Sequence, residues 1–117
     1  MMMDWKAYRD QVNAAVREIS TVNPELVKAY VGLSSANAKS THLDAKAREL
    51  IALAVAVTLR CDGCINAHTE AAIKAGASKE EVTEALGVAI MVNAGAAMVY
   101  SSRTIDAFDS KTAEKKS

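Results

Sequence analysis

The sequence predicts an all-α protein, and three observations carry that prediction. Apolar residues recur at helical spacing in every long segment, no alternating strand pattern competes, and cap-forming residues stand at the segment starts. A first helix is predicted over Asp4 to Ser20, where Trp5, Tyr8, Val12, Ala15, Val16 and Ile19 form one stripe. Asn23-Pro24-Glu25 then reads as a helix start, with a capping residue, a first-turn proline and an acid near the positive end of the dipole. The second helix aligns Leu26, Tyr30 and Leu33, with Val27 and Val31 beside them, and fades at Ser34-Ser35-Ala36-Asn37. A third starts near Asp44 and runs through Arg48-Glu49-Leu50 and the apolar residues to Leu59, where Arg60-Cys61-Asp62-Gly63 breaks it. The fourth covers roughly Gly63 to Lys74 and closes at Ala75-Gly76, since glycine suits a helix C-terminus. Ser78-Lys79-Glu80-Glu81 is a capping box that opens a fifth, with Val82, Leu86, Ala89 and Asn93 at one spacing. A bend at Ala94-Gly95 should lead into a sixth helix ending near Phe108, and the polar residues 109 to 117 should fray. The expectation is a single domain, a compact bundle of about six helices.

Composition narrows the function. The 117 residues fit one domain; half are hydrophobic but only 4% are aromatic, so small aliphatic side chains build the core. Such side chains let helices approach closely and suit an oligomer whose core extends across subunits. Charge is balanced, 14 basic against 14 acidic residues, and with no basic stripe nucleic acid is excluded as an expected partner. Met-Met-Met-Asp-Trp-Lys contains no apolar signal region. The apolar run Ala85 to Tyr100 is shorter than the ~18 residues of a membrane span and is interrupted by Asn93, so it reads as a buried helix-turn-helix with no membrane partner. A reducing, cytoplasmic compartment is expected, in which a C-x-x-C is catalytic or metal-binding rather than a structural staple.

The chemistry concentrates in one constellation: Glu49, then Cys61-Asp62-Gly63-Cys64, then His68. These are the only two cysteines of the chain. At the start of a helix, unpaired N–H groups and the dipole favour a thiolate, and i, i+3 spacing puts both sulfurs on one face within disulfide reach. His68, at i+4 from Cys64, shares that face and can accept the thiol proton. Gly63 leaves room for a peroxide or a disulfide partner to approach Cys64. A closed zinc site would need four ligands, and only Cys61, Cys64 and His68, with His42 or an acid, are on offer, without a second C-x-x-C. Buried inert thiols are the other plain alternative, and a core histidine is the plain alternative for His68. Glu49 is open between two roles. It is either a surface carboxylate paired with Lys46 or Arg48, or, because Ala52, Leu53 and Ala56 share its stripe, a partly desolvated proton-transfer group.

The segment A-R-E-L-I-A-L-A-V-A-V-T-L-R-C-D-G-C-I-N-A-H-T-E-A-A-I-K-A-G-A-S-K-E-E-V-T-E-A-L resembles the alkyl hydroperoxidase D family, within the carboxymuconolactone decarboxylase superfamily. The resemblance covers residues 42 to 108 and rests on the E…C-x-x-C-x-x-x-H spacing and the A-G-A-S-x-E-E-V stretch after it. It implies an all-α fold assembling into trimers or hexamers. It further implies a thiol-dependent peroxidase that uses no cofactor or metal and takes a hydroperoxide substrate and an external dithiol or thioredoxin-like reductant. It assigns Cys64 as the attacking thiolate, Cys61 as the resolving thiol, and His68 with Glu49 as a proton relay. One position departs from the pattern: Gly63 stands where the best-known members carry a second histidine, as C-x-H-C. That departure predicts weaker or redirected peroxidase activity, or a general disulfide reductase. The non-enzymatic alternative is a structural or binding oligomer that keeps the scaffold while its thiols act only as a slow redox sensor. The superfamily's decarboxylase branch generally lacks the paired cysteines, which argues against lactone decarboxylation.

Overall fold

A computed structural model describes residues 1–39 and 41–116, the last three of these as backbone. The described residues form five helices: α1 Trp5–Val22, α2 Pro24–Ala38, α3 Ala45–Leu59, α4 Asp62–Lys74 and α5 Lys79–Lys116. There is no strand among the described residues.

The local signals work as their chemistry requires. The side chains of Asp4, Asn23 and Asp44 each accept a bond from the backbone N–H three residues on, capping α1, α2 and α3. Arg60 takes the left-handed conformation (φ 54°) that ends α3 and turns the chain toward Cys61. Gly76 takes φ 86° after α4, a conformation that glycine adopts without strain. Ser78 and Glu81 bond reciprocally, each side chain to the other's backbone N–H at 3.0 Å. Ser78→Ala should therefore lower the unfolding free energy by ~1 kcal/mol, measured by urea denaturation.

Glu81 also ties this cap to α3, its carboxylate meeting Lys46 Nζ at 2.9 Å. The Ser78 backbone N–H, and then Lys46, hold the Glu81 carboxyl below its ordinary value of 4.5. A carboxyl depressed in the folded state adds stability above its unfolded pKa and loses it as pH falls through the folded one. The stability gap between the wild type and Glu81→Gln should therefore be full at neutral pH. It should narrow as pH drops from about 4.5, followed by thermal melts across that range.

Two features depart from the sequence expectation. No break occurs at Ala94-Gly95: α5 runs unbroken for 38 residues, about 57 Å at 1.5 Å per residue, replacing the fifth and sixth helices. Gly95 interrupts nothing because a lone glycine costs a helix only ~1 kcal/mol. The helix also continues through the polar residues up to Lys116, in place of the frayed tail their composition predicts. The uncharged stretch runs on through Ser101 and Ser102, so α5 is long and apolar enough to cross a membrane by length and composition, with a mean hydropathy of 1.6 over 18 residues.

The second departure is shape. The radius of gyration is 20.1 Å, against about 13 Å for a compact chain of this length. Among the described residues only Leu53, Ala56, Ala72 and Ala89 are buried, at the meeting of α3, α4 and α5. The α1–α2 hairpin rests on α4 through α1, and α5 projects past its contact with α3. Trp5, Tyr8 and Val12 are half-buried as the α1 stripe predicts, while Val16 and Ile19 are exposed.

Candidate active site

The break after α3 places Cys61 at the N-cap of α4 and Cys64 in its first turn. The two residues form a disulfide with a Cα–Cα distance of 5.2 Å. Cys61 Sγ also accepts the Cys64 backbone N–H at 3.1 Å, so this sulfur occupies the position of a capping oxygen. Any negative charge on it faces the positive end of the helix.

One turn along α4, His68 Nδ1 meets Glu49 Oε2 at 2.7 Å. This contact joins α4 to α3 across 19 residues of sequence. Glu49 thus meets His68, while Lys46 bonds Glu81 and Arg48 Nη1 donates to the Asn37 carbonyl. A carboxylate only accepts, so Nδ1 is the donor in this contact, and in the neutral imidazole that tautomer puts the lone pair on Nε2. The Glu49 side chain is 25% exposed and that of His68 40%, so both are shielded without being sealed from water.

Cys64 and His68 line two separate clefts. The first, of about 390 Å³, is walled by the aliphatic side chains of α3, with Asn37 and Arg48 among its lining residues. The second, of about 380 Å³, is walled by Tyr8, Arg9, Val12, Asn13 and Val16 of α1 and Tyr30 of α2. Cys61 and Gly63 line only the second. α1 is fastened beside it by the Asn66 side-chain amide donating to the Trp5 carbonyl at 2.6 Å, and by the Arg9–Glu70 ion pair. Lys74, and then Arg9, hold the Glu70 carboxyl below its ordinary range.

All four predicted site residues are therefore gathered at one place, and His42 is exposed and lines neither cleft. Sequence reasoning missed the α1 and α2 contributions, Tyr8, Asn13 and Tyr30. Their spacing marks helical faces, but nothing local says those faces flank the cysteines. Gly63 lies open: a Cβ built there meets nothing within 4 Å. No group of three or more His, Cys, Asp or Glu residues among the described residues is placed to hold a metal ion.

Fold and site together define a small helical domain that presents a disulfide-forming cysteine pair from a helix N-terminus. Comparison with known proteins supplies the family. The sequence model of the carboxymuconolactone decarboxylase family matches residues 24–107, and the chain belongs to that family, whose superfamily includes the alkyl hydroperoxidase D-like proteins. Among solved structures, it is similar to an apo carboxymuconolactone decarboxylase family protein from Legionella pneumophila. That likeness has 31% identity and a TM-score of 0.71, and covers 90% of this chain and 94% of the other. A structural-genomics protein from Methanobacterium thermoautotrophicum is similar at 32% identity and a TM-score of 0.67, over 72% of this chain and 94% of its own. An uncharacterised protein from Haemophilus influenzae is 50% identical over 108 residues, 92% of this chain and 96% of that one.

Proposed function

We propose that the protein is a thiol peroxidase of the alkyl hydroperoxidase D type. The observation that supports this reading best is the Glu49–His68 contact, one helical turn beyond Cys64 in a formed Cys61–Cys64 pair. In the reduced protein, His68 Nε2 takes the Cys64 proton while Glu49 steadies the imidazolium. The Cys64 thiolate attacks the terminal oxygen of a hydroperoxide; the O–O bond breaks, Cys64 becomes a sulfenic acid, and the departing alkoxide takes the proton from His68 to leave as an alcohol. The Cys61 thiol then attacks the sulfenic sulfur, expelling water and forming the disulfide, which spares Cys64 from further oxidation. An external dithiol returns two electrons. Purified protein should consume tert-butyl hydroperoxide with dithiothreitol as reductant, followed by peroxide loss, and no consumption above the reagent background would end the reading.

The open position at Gly63 favours one other reading, a general disulfide reductase using the same cysteine pair. It predicts reduction of a model protein disulfide at a rate that hydroperoxide neither requires nor matches.

Assembly with further copies of the chain belongs to the same proposal. The accessible surface is 9464 Å², against about 6,100 Å² for a compact protein of 12.4 kDa. The excess is the size of an obligate interface. Much of it is apolar: Ile51, Val55, Leu59, Val88 and Val92 line a groove of about 540 Å³ between α3 and α5. A second copy fits this face because the groove is lined by aliphatic side chains like those of the chain's own core. Analytical ultracentrifugation should show a trimer or hexamer without detergent, and Val92→Asp should split it. A monomeric wild type that enters lipid vesicles would instead assign the exposed face of α5 to a membrane.

A further inference from the structure

We propose that the two halves of the reaction cycle use different doors: hydroperoxide reaches Cys64 through the α3-walled cleft, and a small dithiol reductant reaches Cys61 through the cleft walled by α1. The first door rests on the peroxidase reading. The second follows from the disulfide itself, whichever oxidant forms it.

Three observations carry it. Cys64 lines both clefts, whereas Cys61 lines only the second, so of the two clefts only the second offers a nucleophile an approach to Cys61. The first cleft is lined by Leu43, Ala52 and Ala56 and shares Ile51, Val55 and Leu59 with the rim of the α3–α5 groove, so a second copy seated in that groove would border this entry. Its aliphatic lining is a setting for an alkyl chain, while the second cleft adds Tyr8, Asn13 and Tyr30 beside the disulfide. Finally, the family match begins at Pro24, the first residue of α2, so α1, which builds most of the second wall, lies outside the matched segment.

The chemistry favours attack at Cys61. A reductant thiolate bonds to Cys61 Sγ and the S–S bond breaks. Cys64 departs as a thiolate on the face it shares with His68, ready for the next hydroperoxide. The reductant's second thiolate then attacks its own sulfur in the mixed disulfide. Cys61 leaves as a thiolate facing the Cys64 backbone N–H that it already accepts at 3.1 Å. Two electrons pass to the protein disulfide, and the dithiol ends as its own disulfide. Attack at Cys64 would instead tie the peroxide-reactive sulfur into the mixed disulfide. A cleft of about 380 Å³ flanked by Tyr8, Asn13 and Tyr30 suits a small dithiol, and that is the class of reductant assigned to it.

The two doors are separable by measuring each half-reaction alone. Oxidised protein is mixed with dithiothreitol, and pre-reduced protein with tert-butyl hydroperoxide. Both are quenched by alkylation and read by mass spectrometry. Val12→Trp should slow reduction at least tenfold and change oxidation less than threefold, and Ala52→Phe should do the reverse. Asn13→Trp, at an exposed position of the second wall, should repeat the Val12→Trp pattern, and circular dichroism confirms that each variant folds. If either variant slows both half-reactions together, or Val12→Trp and Asn13→Trp leave reduction within twofold of wild type, the two-door assignment fails. A wild type inert to hydroperoxide, whose reduction is still blocked from the α1 side, would overturn the peroxidase reading and retain the reductant door.

Discussion

Cys64→Ser should abolish hydroperoxide consumption, a loss on the order of a thousandfold or more, because the thiol that remains, Cys61, stands a further turn from the His68 base. Cys61→Ser should behave differently. Its Cys64 still attacks, so a single turnover survives, but no resolving thiol follows and steady-state turnover with dithiothreitol falls. Its unresolved sulfenic acid is open to a second oxidation. Intact-mass measurement after excess peroxide should then show Cys61→Ser heavier by two oxygen atoms, and Cys64→Ser unmodified. The opposite pattern would exchange the two roles, and equal residual turnover in both variants would remove the cysteine pair from the chemistry. The geometry favours Cys64 as the attacking sulfur: it shares a helix face with His68, whereas Cys61 sits at the cap of α4 and lines only the α1 cleft.

How much of the fold and the site is legible in the sequence follows from the range of each interaction. Helix starts and stops rest on contacts three or four residues apart, so Asp44, Asn23 and the Ser78–Glu81 box can be placed from composition alone. The disulfide pair and the placement of His68 one turn beyond it are likewise local. Glu49 stays open in the sequence because its partner lies 19 residues away on another helix, and helical spacing cannot say which turn of α4 faces α3. The missing break in α5 has a different cause. Ala94-Gly95 weakens a helix but offers no alternative turn, and Asn93, an interruption by composition, is accommodated by hydrogen bonds to the Ala89 carbonyl and Thr58 Oγ1. Openness cannot be read from the sequence at all. A chain rich in small aliphatic residues fits a buried bundle and an exposed apolar face equally well, and only the placement of Val88, Ile90, Val92 and Met98 on the surface separates them.

Glu49→Gln should slow peroxide turnover by about a hundredfold, at the lower end of what a general acid–base arrangement contributes. Glutamine keeps the shape and can still accept from His68 Nδ1, but it lacks the charge that steadies the imidazolium when His68 holds the Cys64 proton. Both side chains are partly exposed, so the fold should lose less than ~1 kcal/mol, and the thermal midpoint separates a chemical effect from a structural one. Glu49 touches neither sulfur among the contacts observed, so it is a positioning residue acting through His68. A double-mutant cycle tests that directly: once His68→Gln has removed the base, adding Glu49→Gln should slow the reaction no further. Alkylation of reduced Cys64 by iodoacetamide should follow the same hierarchy, because it reads thiolate formation without any peroxide. If the two losses multiply instead, Glu49 acts independently of His68. If Glu49→Gln is as fast as wild type, the 2.7 Å contact only fastens α3 to α4.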